Sequence, residues 1–350
     1  MTSRKIDHRD KNLSFNKAGD QQGFVLAATL WVLAFITIAL GYFSLWTQQA
    51  VETAQQRLTD IEIAVDMEST YAGILYMFNT YPMGPTGLDL LRIDDSADEP
   101  PEGRYLPLDD TPIKGYGSVV FSLQDEGGLI PINAQHHNHL RNLLGLFGVP
   151  GGERDVLLAR LADYIDNDDL VHLNGAERAD YLRQNLLPPT NHELRTGWES
   201  RNVLGWNMVA DGPQNQLLPR YLNVVWNGVP NFNTAPAKIL TTWPGIDQKD
   251  AELIVKTRKK TPLKNVSDLY RILGHTLSID PMAASFFPTR YIRLTLRAPS
   301  TGQAREIHLE LRPNADWDKP WFVDYALSLA DHQLPPVSEP LILNVVPFAQ

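Results

Sequence analysis

Residues 21–51 read QQGFVLAATLWVLAFITIALGYFSLWTQQAV, and this stretch determines how the whole chain is organised. It contains no charged side chain, and its apolar part runs from Phe24 to Trp46. As a helix, that apolar part spans about 35 Å, which is long enough to cross the hydrocarbon core of a bilayer. Aromatic side chains near its end, Tyr42 and Trp46 among them, favour the membrane–water interface. The sequence therefore predicts one transmembrane helix near the N-terminus.

The residues before this segment are polar and basic. Residues 1–23 hold five Lys or Arg against three Asp, a formal charge of +2, so the remainder carries −10 − 2 = −12. A basic flank before a first membrane span keeps that end of the chain in the cytoplasm. The sequence therefore predicts a single-pass inner-membrane protein whose large acidic domain lies in the periplasm.

The amino-acid composition excludes several classes of protein. The chain has 350 residues, of which 43% are hydrophobic and 21% charged, and this excludes both a disordered chain and a polytopic membrane protein. Its net charge of −10 argues against a general nucleic-acid binder, because such proteins neutralise phosphates with Lys and Arg. The absence of Cys excludes disulfides, thiol catalysis and Cys-based zinc sites.

The apolar segment also has an ordinary interpretation as a signal anchor or a cleaved secretory signal. A secretory signal has an apolar core of about 7–15 residues, followed by small residues at its cleavage site. Here the apolar run is longer, and the small residue Gly23 precedes it. Both differences argue against an ordinary cleaved signal.

Helical periodicity continues beyond the apolar segment. Ala54, Leu58, Ile61 and Val65 recur three or four positions apart, and Pro82 lies where the pattern stops. This predicts a single helix over residues 24–79, with its first half in lipid and its second half amphipathic.

The rest of the chain predicts an α+β fold. Strand patterns occur at residues 119–123, 291–296 and 307–311, and turn residues separate the last two. Between them, the residues from 127 to 286 have mainly helical patterns, with helices predicted near 136–147, 153–166, 175–185, 236–243, 248–259 and 266–274. A helical block is therefore predicted within an α+β frame.

The junction at Gly23 and Phe24, a polar leader followed by a long apolar run, resembles the cleavage region of a type IV prepilin. Three later segments resemble, in the same order, blocks of the minor pseudopilin K of type II secretion systems. They read DEGGLIPINA at residues 125–134, LADYIDNDD at 161–169 and VPNFNTAP at 229–236. The resemblance covers the chain from Gly23 to about Leu311.

The resemblance implies a type IV pilin-like domain, in which the long N-terminal helix accompanies an antiparallel sheet. It also implies a large all-α insertion containing helix-hairpin-helix or SAM-like units. The expected divisions are a prepilin leader at 1–23, the N-terminal helix at 24–79, the pilin-like α+β domain at 80–126 and 287–312, the inserted helical domain at 127–286, and a C-terminal extension at 313–350.

The resemblance further implies processing at the apolar junction, where a prepilin peptidase would cut after Gly23 and methylate Phe24. Most members carry Glu at the fifth mature position, where this chain has Ala28. In the family that Glu is thought to neutralise the N-terminal amine of a neighbouring subunit. A subunit with no neighbour ahead of it has no amine to meet, and an unpaired carboxylate in lipid is costly. Ala28 is therefore interpreted as a signature of the filament tip.

The functional implication of the resemblance is assembly without catalysis. The chain would cap the tip of the secretion pseudopilus and take part in the export of folded proteins across the outer membrane. Its expected partners are the minor pseudopilins I and J, reached through the N-terminal helices, together with the prepilin peptidase and the inner membrane.

Six carboxylates within 18 residues form the best candidate metal site. They are Asp163, Asp166, Asp168, Asp169, Glu177 and Asp180. Calcium binds six to eight hard oxygens, which a carboxylate-rich turn between helices supplies. An EF-hand is excluded because Val171 stands where that loop needs Gly and Leu170 where it needs an oxygen. An acidic helix end without metal is the alternative, whereas the resemblance implies structural calcium at this helical domain.

A second motif supports an alternative from another functional class. Residues 244–269 resemble a helix-hairpin-helix unit, which would make the chain a membrane-anchored DNA-binding protein. DNA-binding hairpins read Gly-hydrophobic-Gly and hold a phosphate with backbone N–H groups. Here Asp247 replaces the second Gly, and its carboxylate repels phosphate and caps the next helix. We therefore expect no nucleic-acid partner, and the basic residues at 256–264 are interpreted as a solvated face.

The sequence has weaker patterns for two further functions, zinc binding and hydrolysis. His136, His137 and His139 offer no i, i+4 pair for zinc and are interpreted as a surface cluster. A membrane-anchored periplasmic hydrolase is the third alternative, but the sequence has no nucleophile elbow, phosphate loop or paired-carboxylate pattern. The sequence therefore predicts a protein that is not an enzyme.

Overall fold

The computed structural model describes residues 20–90, 104–134, 137–210, 217–225, 228–279, 284–313, 315, 319–330, 334–337, 339–343 and 347–348, with side chains from Phe24 onward. The chain divides into two compact units, Met1–Glu62 and Ile63–Gln350.

Helix α1 runs from Asp20 to Thr80 and confirms the predicted long N-terminal helix. Among the described residues, it is the one helix long and apolar enough to cross a membrane. Every side chain from Phe24 to Glu62 is exposed. The apolar surface of the first unit is therefore available to lipid or to other helices.

Nine strands are described in the second unit. They are β1 (Gly87–Asp89), β2 (Tyr105–Pro107), β3 (Ile113–Lys114), β4 (Val120–Asp125), β5 (Ile130–Pro131), β6 (Leu222–Asn223), β7 (Tyr291–Ala298), β8 (Gln303–Leu311) and β9 (Trp321–Ala330). Five of them form an antiparallel sheet in the order β3-β4-β7-β8-β9, β1 pairs with β2, and β5 pairs in parallel with β6. The predicted hairpin between residues 291–296 and 307–311 is thus present as β7 and β8.

The last turns of α1 cover one face of the five-stranded sheet. Ile74 and Met77 of the helix are fully buried in one hydrophobic cluster with Phe121 of β4, Leu294 of β7 and Ile307 of β8. Alternate strand residues point to opposite faces, so this cluster uses one side of each strand. A helix packed on an antiparallel sheet is the predicted α+β frame.

The residues after β8 differ from the predicted C-terminal extension at 313–350. Strand β9 pairs with β8 along almost its whole length, and Leu343 and Phe348 are buried in the same core as α1. Leu341 forms a bridge with Ile113 at the opposite edge of the sheet. The α+β domain therefore continues beyond residue 312, because the sheet takes its fifth strand and part of its core from residues 321–348.

In the block between β4 and β7, helices are the main regular structure, but they make up fewer than half of its described residues. Its helices are α2 (Asn138–Leu146), α3 (Gly151–Ile165), α4 (Arg178–Arg183), α5 (Asn207–Ala210), α6 (Ala237–Leu240), α7 (Gln248–Arg258) and α8 (Val266–Leu273). Tyr181, Trp206 and Phe232 lie in its separate hydrophobic core. The parallel pair of β5 and β6 means that the block is not entirely helical.

Candidate functional site

The residues at the predicted processing junction lie on one continuous helix. Gly23 lies in the first turn of α1, and Phe24 directly after it is 77% exposed. Ala28 is exposed, four residues or about 6 Å further along the helix axis. Cleavage after Gly23, methylation of Phe24 and the tip role of Ala28 all stay predictions.

Further along α1, one side of the helix carries a mainly apolar strip. It includes Trp46, Ala50, Ala54, Leu58 and Ile61, which recur three or four residues apart. Trp46, Leu58 and Ile61 are each more than half exposed. Such spacing places apolar side chains on one face, which suits packing against another helix.

The acidic cluster is built where α3 ends. Asp163, in the last turn of α3, is fully buried, and Asp166 follows the final helical residue. The loop then folds back and places His172 beside both aspartates. Its Nδ1 lies 2.5 Å from Oδ1 of Asp163 and 3.7 Å from Oδ2 of Asp166. Ligand atoms of these three residues all lie within 4.8 Å of one another. The turn therefore gathers oxygen and nitrogen donors around one point.

Gly175 lets the loop pass directly over Asp163. A Cβ atom at Gly175 would overlap the carboxylate of Asp163, so any other residue would displace one of them. Asn174, immediately before it, has a positive φ of 66°, and Asn tolerates that region better than most residues. His172 and Gly175 were not among the predicted site residues, although both lie between the predicted ligands Asp169 and Glu177.

Glu177 is a buried carboxylate directly before α4. It is 4% exposed, and its side chain faces the backbone N–H groups in the first turn of α4. Burial and the charges of Asp163 and Asp166 raise the pKa of Glu177 to about 7. Oδ1 of Asp166 is also buried, without a partner in the described part of the chain.

The carboxylates gathered in this turn have the chemistry that a hard cation binds. A buried carboxylate without a hydrogen bond or counterion is expensive, and calcium favours carboxylate oxygens of this kind. Asp163 and Asp166 are the carboxylates whose oxygens lie close enough together to share an ion, and Glu177 lies near enough for their charges to act on it. Asp169 contributes negative charge at Glu177, while its Oδ1 accepts a weak hydrogen bond from Asn191.

The other two predicted ligands are engaged elsewhere. Oδ1 of Asp168 accepts a hydrogen bond of 2.8 Å from the backbone N–H of Leu170. Asp180 accepts from the backbone N–H of Glu177 and forms an ion pair with Arg183. The structure thus separates the six predicted carboxylates into an inner group of three and an outer group that shapes the loop.

Two segments that suggested the family resemblance meet at a single buried carboxylate. Asp125 accepts hydrogen bonds from Asn231 Nδ2 at 3.1 Å and from Thr234 Oγ1 at 2.7 Å. It also accepts from Thr289 Oγ1 at 2.7 Å and from the backbone of Gly127 at 2.9 Å. Asp125 therefore ties the end of β4 to the helical block and to the segment that leads into β7, which is a structural role.

Next to Asp125, six charged side chains lie between the sheet and the helical block, five of them buried and Asp110 partly exposed. They are Asp110, Glu126, Arg220, Arg293, Glu306 and His308. Burial would raise the pKa of Glu306, but His308, Arg293 and Arg220 lower it to about 2. Burial raises the pKa of Glu126 despite the opposing charges of His308 and Arg293. This cluster joins the two parts of the second unit.

The helix-hairpin-helix segment is present as α7 and α8. Oδ1 of Asp247 accepts a hydrogen bond of 2.9 Å from the backbone N–H of Asp250, so the residue caps α7 as predicted. Arg258 differs from the predicted solvated face, since it is 2% exposed and donates to the carbonyls of Phe232 and Ala235. The basic surface here is therefore smaller than the sequence indicated.

The predicted histidine cluster also differs from a simple surface group. His136 lies outside the described residues. His139 is half-buried, with its ring 4.6 Å from that of Trp243 and its Nδ1 2.9 Å from Thr242 Oγ1. Burial lowers its pKa. His139 thus belongs to the packing of the helical block.

Comparison with known proteins supports the resemblance. Residues 120–210 match the family model described as Type II secretion system (T2SS), protein K. Among solved structures, the chain is similar to a chain of the GspK-GspI-GspJ complex from the enterotoxigenic Escherichia coli Type 2 Secretion System. That similarity has a TM-score of 0.49 and 14% identity, covering 79% of this chain and 98% of the other. No curated protein gives a significant match.

Proposed function

We propose that this chain is a minor pseudopilin K of a type II secretion system, held in the inner membrane by α1. The observation that carries the proposal is the protein K family match over residues 120–210. That segment contains the DEGG block and the acidic cluster, two of the three segments on which the resemblance was based. The exposed apolar half of α1 supports a membrane anchor for the same chain.

In the proposed role, the helical block between β4 and β7 is the bulky part that caps the pseudopilus tip. The large domain would lie in the periplasm, after the prepilin peptidase has cut behind Gly23 and methylated Phe24. Minor pseudopilins I and J are the proposed partners. The apolar strip on α1 supports this choice, because its exposed side chains suit helix-to-helix packing within or beside the membrane.

We further propose that calcium binds at Asp163, Asp166 and Glu177 and has a structural role. The buried carboxylates of Asp163 and Glu177, together with the buried Oδ1 of Asp166, support the site. When bound, the ion would supply positive charge that offsets three carboxylates in one turn. Around it, Gly175 lets the loop close over Asp163, and Asp180 fixes the backbone of Glu177.

The alternatives have less support. For DNA binding, Asp247 places a carboxylate where a phosphate would bind, and burial of Arg258 removes one cation from the surface. For catalysis, the buried groups around Glu306 are engaged in ion pairs that join the sheet to the helical block. We therefore propose an assembly role.

The proposed function is tested by genetic complementation. The host's own gene for this chain is deleted, and secretion of a type II exoprotein is measured in the culture medium. We expect deletion to abolish secretion, and the full chain supplied in trans to restore it. Normal secretion in the deletion strain would contradict the proposed function.

A further inference from the structure

The loop between α3 and α4 turns its carboxylates inward and its apolar side chains outward. Leu170, Val171 and Leu173 are 75%, 58% and 88% exposed, whereas Asp163 and Glu177 are buried. Loops are ordinarily polar on the outside, and grouped exposed apolar residues mark interaction sites. The loop therefore presents apolar surface for which its own domain has no use.

A second loop, tied to the first by Asn191, carries two further exposed apolar side chains. Leu186 and Leu187, just beyond α4, are 43% and 85% exposed. Asn191 holds the two loops together, since its side chain donates to the carbonyl of Asp168 at 3.0 Å and its backbone N–H donates to the carbonyl of Tyr164 at 3.2 Å. We name these five side chains the apolar patch: Leu170, Val171, Leu173, Leu186 and Leu187.

The charge around the apolar patch indicates what can bind there. Asp168 and Asp169 are the exposed carboxylates of the first loop, whereas Asp163 and Glu177 are buried, and no Lys occurs from residue 115 to residue 237. Arg183 is paired with Asp180. Surfaces that insert into anionic lipid combine apolar side chains with Lys and Arg, which is the opposite pattern. A second copy of the chain would bring the same negative charge.

We propose that the apolar patch docks a protein partner whose pocket is apolar and bordered by Lys or Arg. Apolar contact supplies the affinity, and the exposed Asp168 and Asp169 supply the charge that selects a basic rim. The secretion assay that tests this inference rests on the proposed function.

The first test is the double variant Leu173→Ser with Leu187→Ser in the full chain. Its matched control is Leu253→Ser, a 42% exposed leucine on α7. We expect at least a tenfold loss of secretion for the double variant, none for the control, and melting temperatures equal to wild type for both. Wild-type secretion by the double variant, in a strain where deletion abolishes secretion, would overturn the docking proposal alone. Secretion that survives deletion would instead count against the proposed function.

A second test does not depend on secretion. A photo-crosslinking amino acid is placed at position 173, or at 253 as control, in the full chain in its host cells. We expect a crosslink at position 173 alone, to a protein whose purified form binds the chain at least tenfold more weakly after the double substitution. Raising the salt concentration from 0.1 to 0.5 M should weaken the same binding, because a basic rim is screened. Equal crosslinking at both positions, none at 173, or binding indifferent to salt would overturn the proposal.

Two other binding partners, a second copy of this chain and a lipid surface, would give different experimental results. A crosslinked product between two copies of this chain would identify self-association and overturn the proposal. For lipid, the full chain in phosphatidylcholine nanodiscs is mixed with phosphatidylglycerol vesicles and floated. Co-flotation that the double substitution removes would identify a lipid surface and overturn it equally.

Discussion

The Nδ1 atom of His172 lies 2.5 Å from Oδ1 of Asp163, so a half-exposed imidazole covers a fully buried carboxylate. The hydrogen bond to Asp163 raises the pKa of His172, against a smaller opposing effect of burial. A protonated imidazole offsets part of the negative charge that Asp163, Asp166 and Glu177 concentrate in one turn. Without a metal ion, the folded site thus holds protons that the unfolded chain would release.

This arrangement predicts a pH dependence of stability in chelator. The pKa values of Glu177 and His172 are both raised in the folded state, so protonation of these groups stabilises the fold. That stabilisation is lost as pH rises through the folded-state pKa values. We expect the free energy of unfolding of the full chain in EGTA to fall between pH 5 and pH 8, by roughly 3 kcal/mol from Glu177. Thermal melts at several pH values measure the fall. A flat profile in chelator would contradict this description of the site.

Calcium should reverse the effect at neutral pH. Millimolar calcium is expected to raise the melting temperature, because it binds the folded site and not the unfolded chain. Glu177→Gln should raise stability in chelator at pH 8 and reduce the gain from calcium, since it removes an uncompensated buried charge. Glu193→Gln, an exposed carboxylate outside the cluster, is the control and should behave as wild type. Identical wild-type melts with calcium and with chelator would exclude a structural site.

The junction between the sheet and the helical block should be sensitive to one methyl group. A Cβ at Gly128 would lie 2.8 Å from the backbone carbon of Thr234, and neither backbone can move freely. We expect Gly128→Ala to cost about 1–3 kcal/mol, visible as a lowered melting temperature. In Gly152→Ala, the new Cβ meets no atom within 4 Å, so this control should be neutral or slightly stabilising. Equal stability of the two variants would mean that the junction is not tightly packed.

Processing at the N-terminus predicts a clear difference between two glycines of α1. Gly23→Val should leave the leader attached and stop assembly, because a branched side chain will not enter a peptidase site shaped for Gly. Gly41→Val, at a position with open space around it, should be processed normally. Mass spectrometry of the purified chain should find a methylated Phe24 at the N-terminus of wild type and of the control. Normal cleavage of the Gly23 variant would refute the prepilin interpretation.

Ala28 predicts the behaviour of a tip subunit. Ala28→Glu places an unpaired carboxylate in lipid, so it should be neutral or harmful to insertion, with protonation limiting the cost. A subunit from the filament body should respond in the opposite way, because the new Glu would meet a neighbour's amine. The measurements are recovery of the complex with minor pseudopilins I and J, and secretion. Better assembly, together with spread of the variant along the filament, would contradict the tip assignment.

Sequence patterns predicted most of the elements, because their signals are local. The long helix, strands β7 and β8, and helices α3, α7 and α8 all lie within a few residues of their predicted ranges. Strand β9 was not predicted, because it is stabilised by pairing with β8 and its sequence has no distinctive strand pattern. Its register shift beside Ile307 and Leu309 also breaks the simple alternation that identifies strands.

The candidate site was predicted in location but not in detail. Six carboxylates in one stretch were visible, yet their division into an inner and an outer group depends on which way the loop turns. His172 reaches Asp163 only because Gly175 and the positive φ of Asn174 let the chain fold back. A Gly directly after an Asn, placed between acidic residues, was the available signal for that turn.

The position of β9 at the end of the chain has a consequence for biosynthesis. Strand β4 must find β7 across more than 160 residues, and the sheet gains its final edge only when residues 321–330 have emerged. Until then, the outer edge of β8 has unpaired backbone N–H and C=O groups that can pair with another polypeptide, and such edges promote aggregation. A polypeptide that terminates before Trp321 would carry α1 and the helical block but an open sheet edge at β8, so it should aggregate more readily than the full chain.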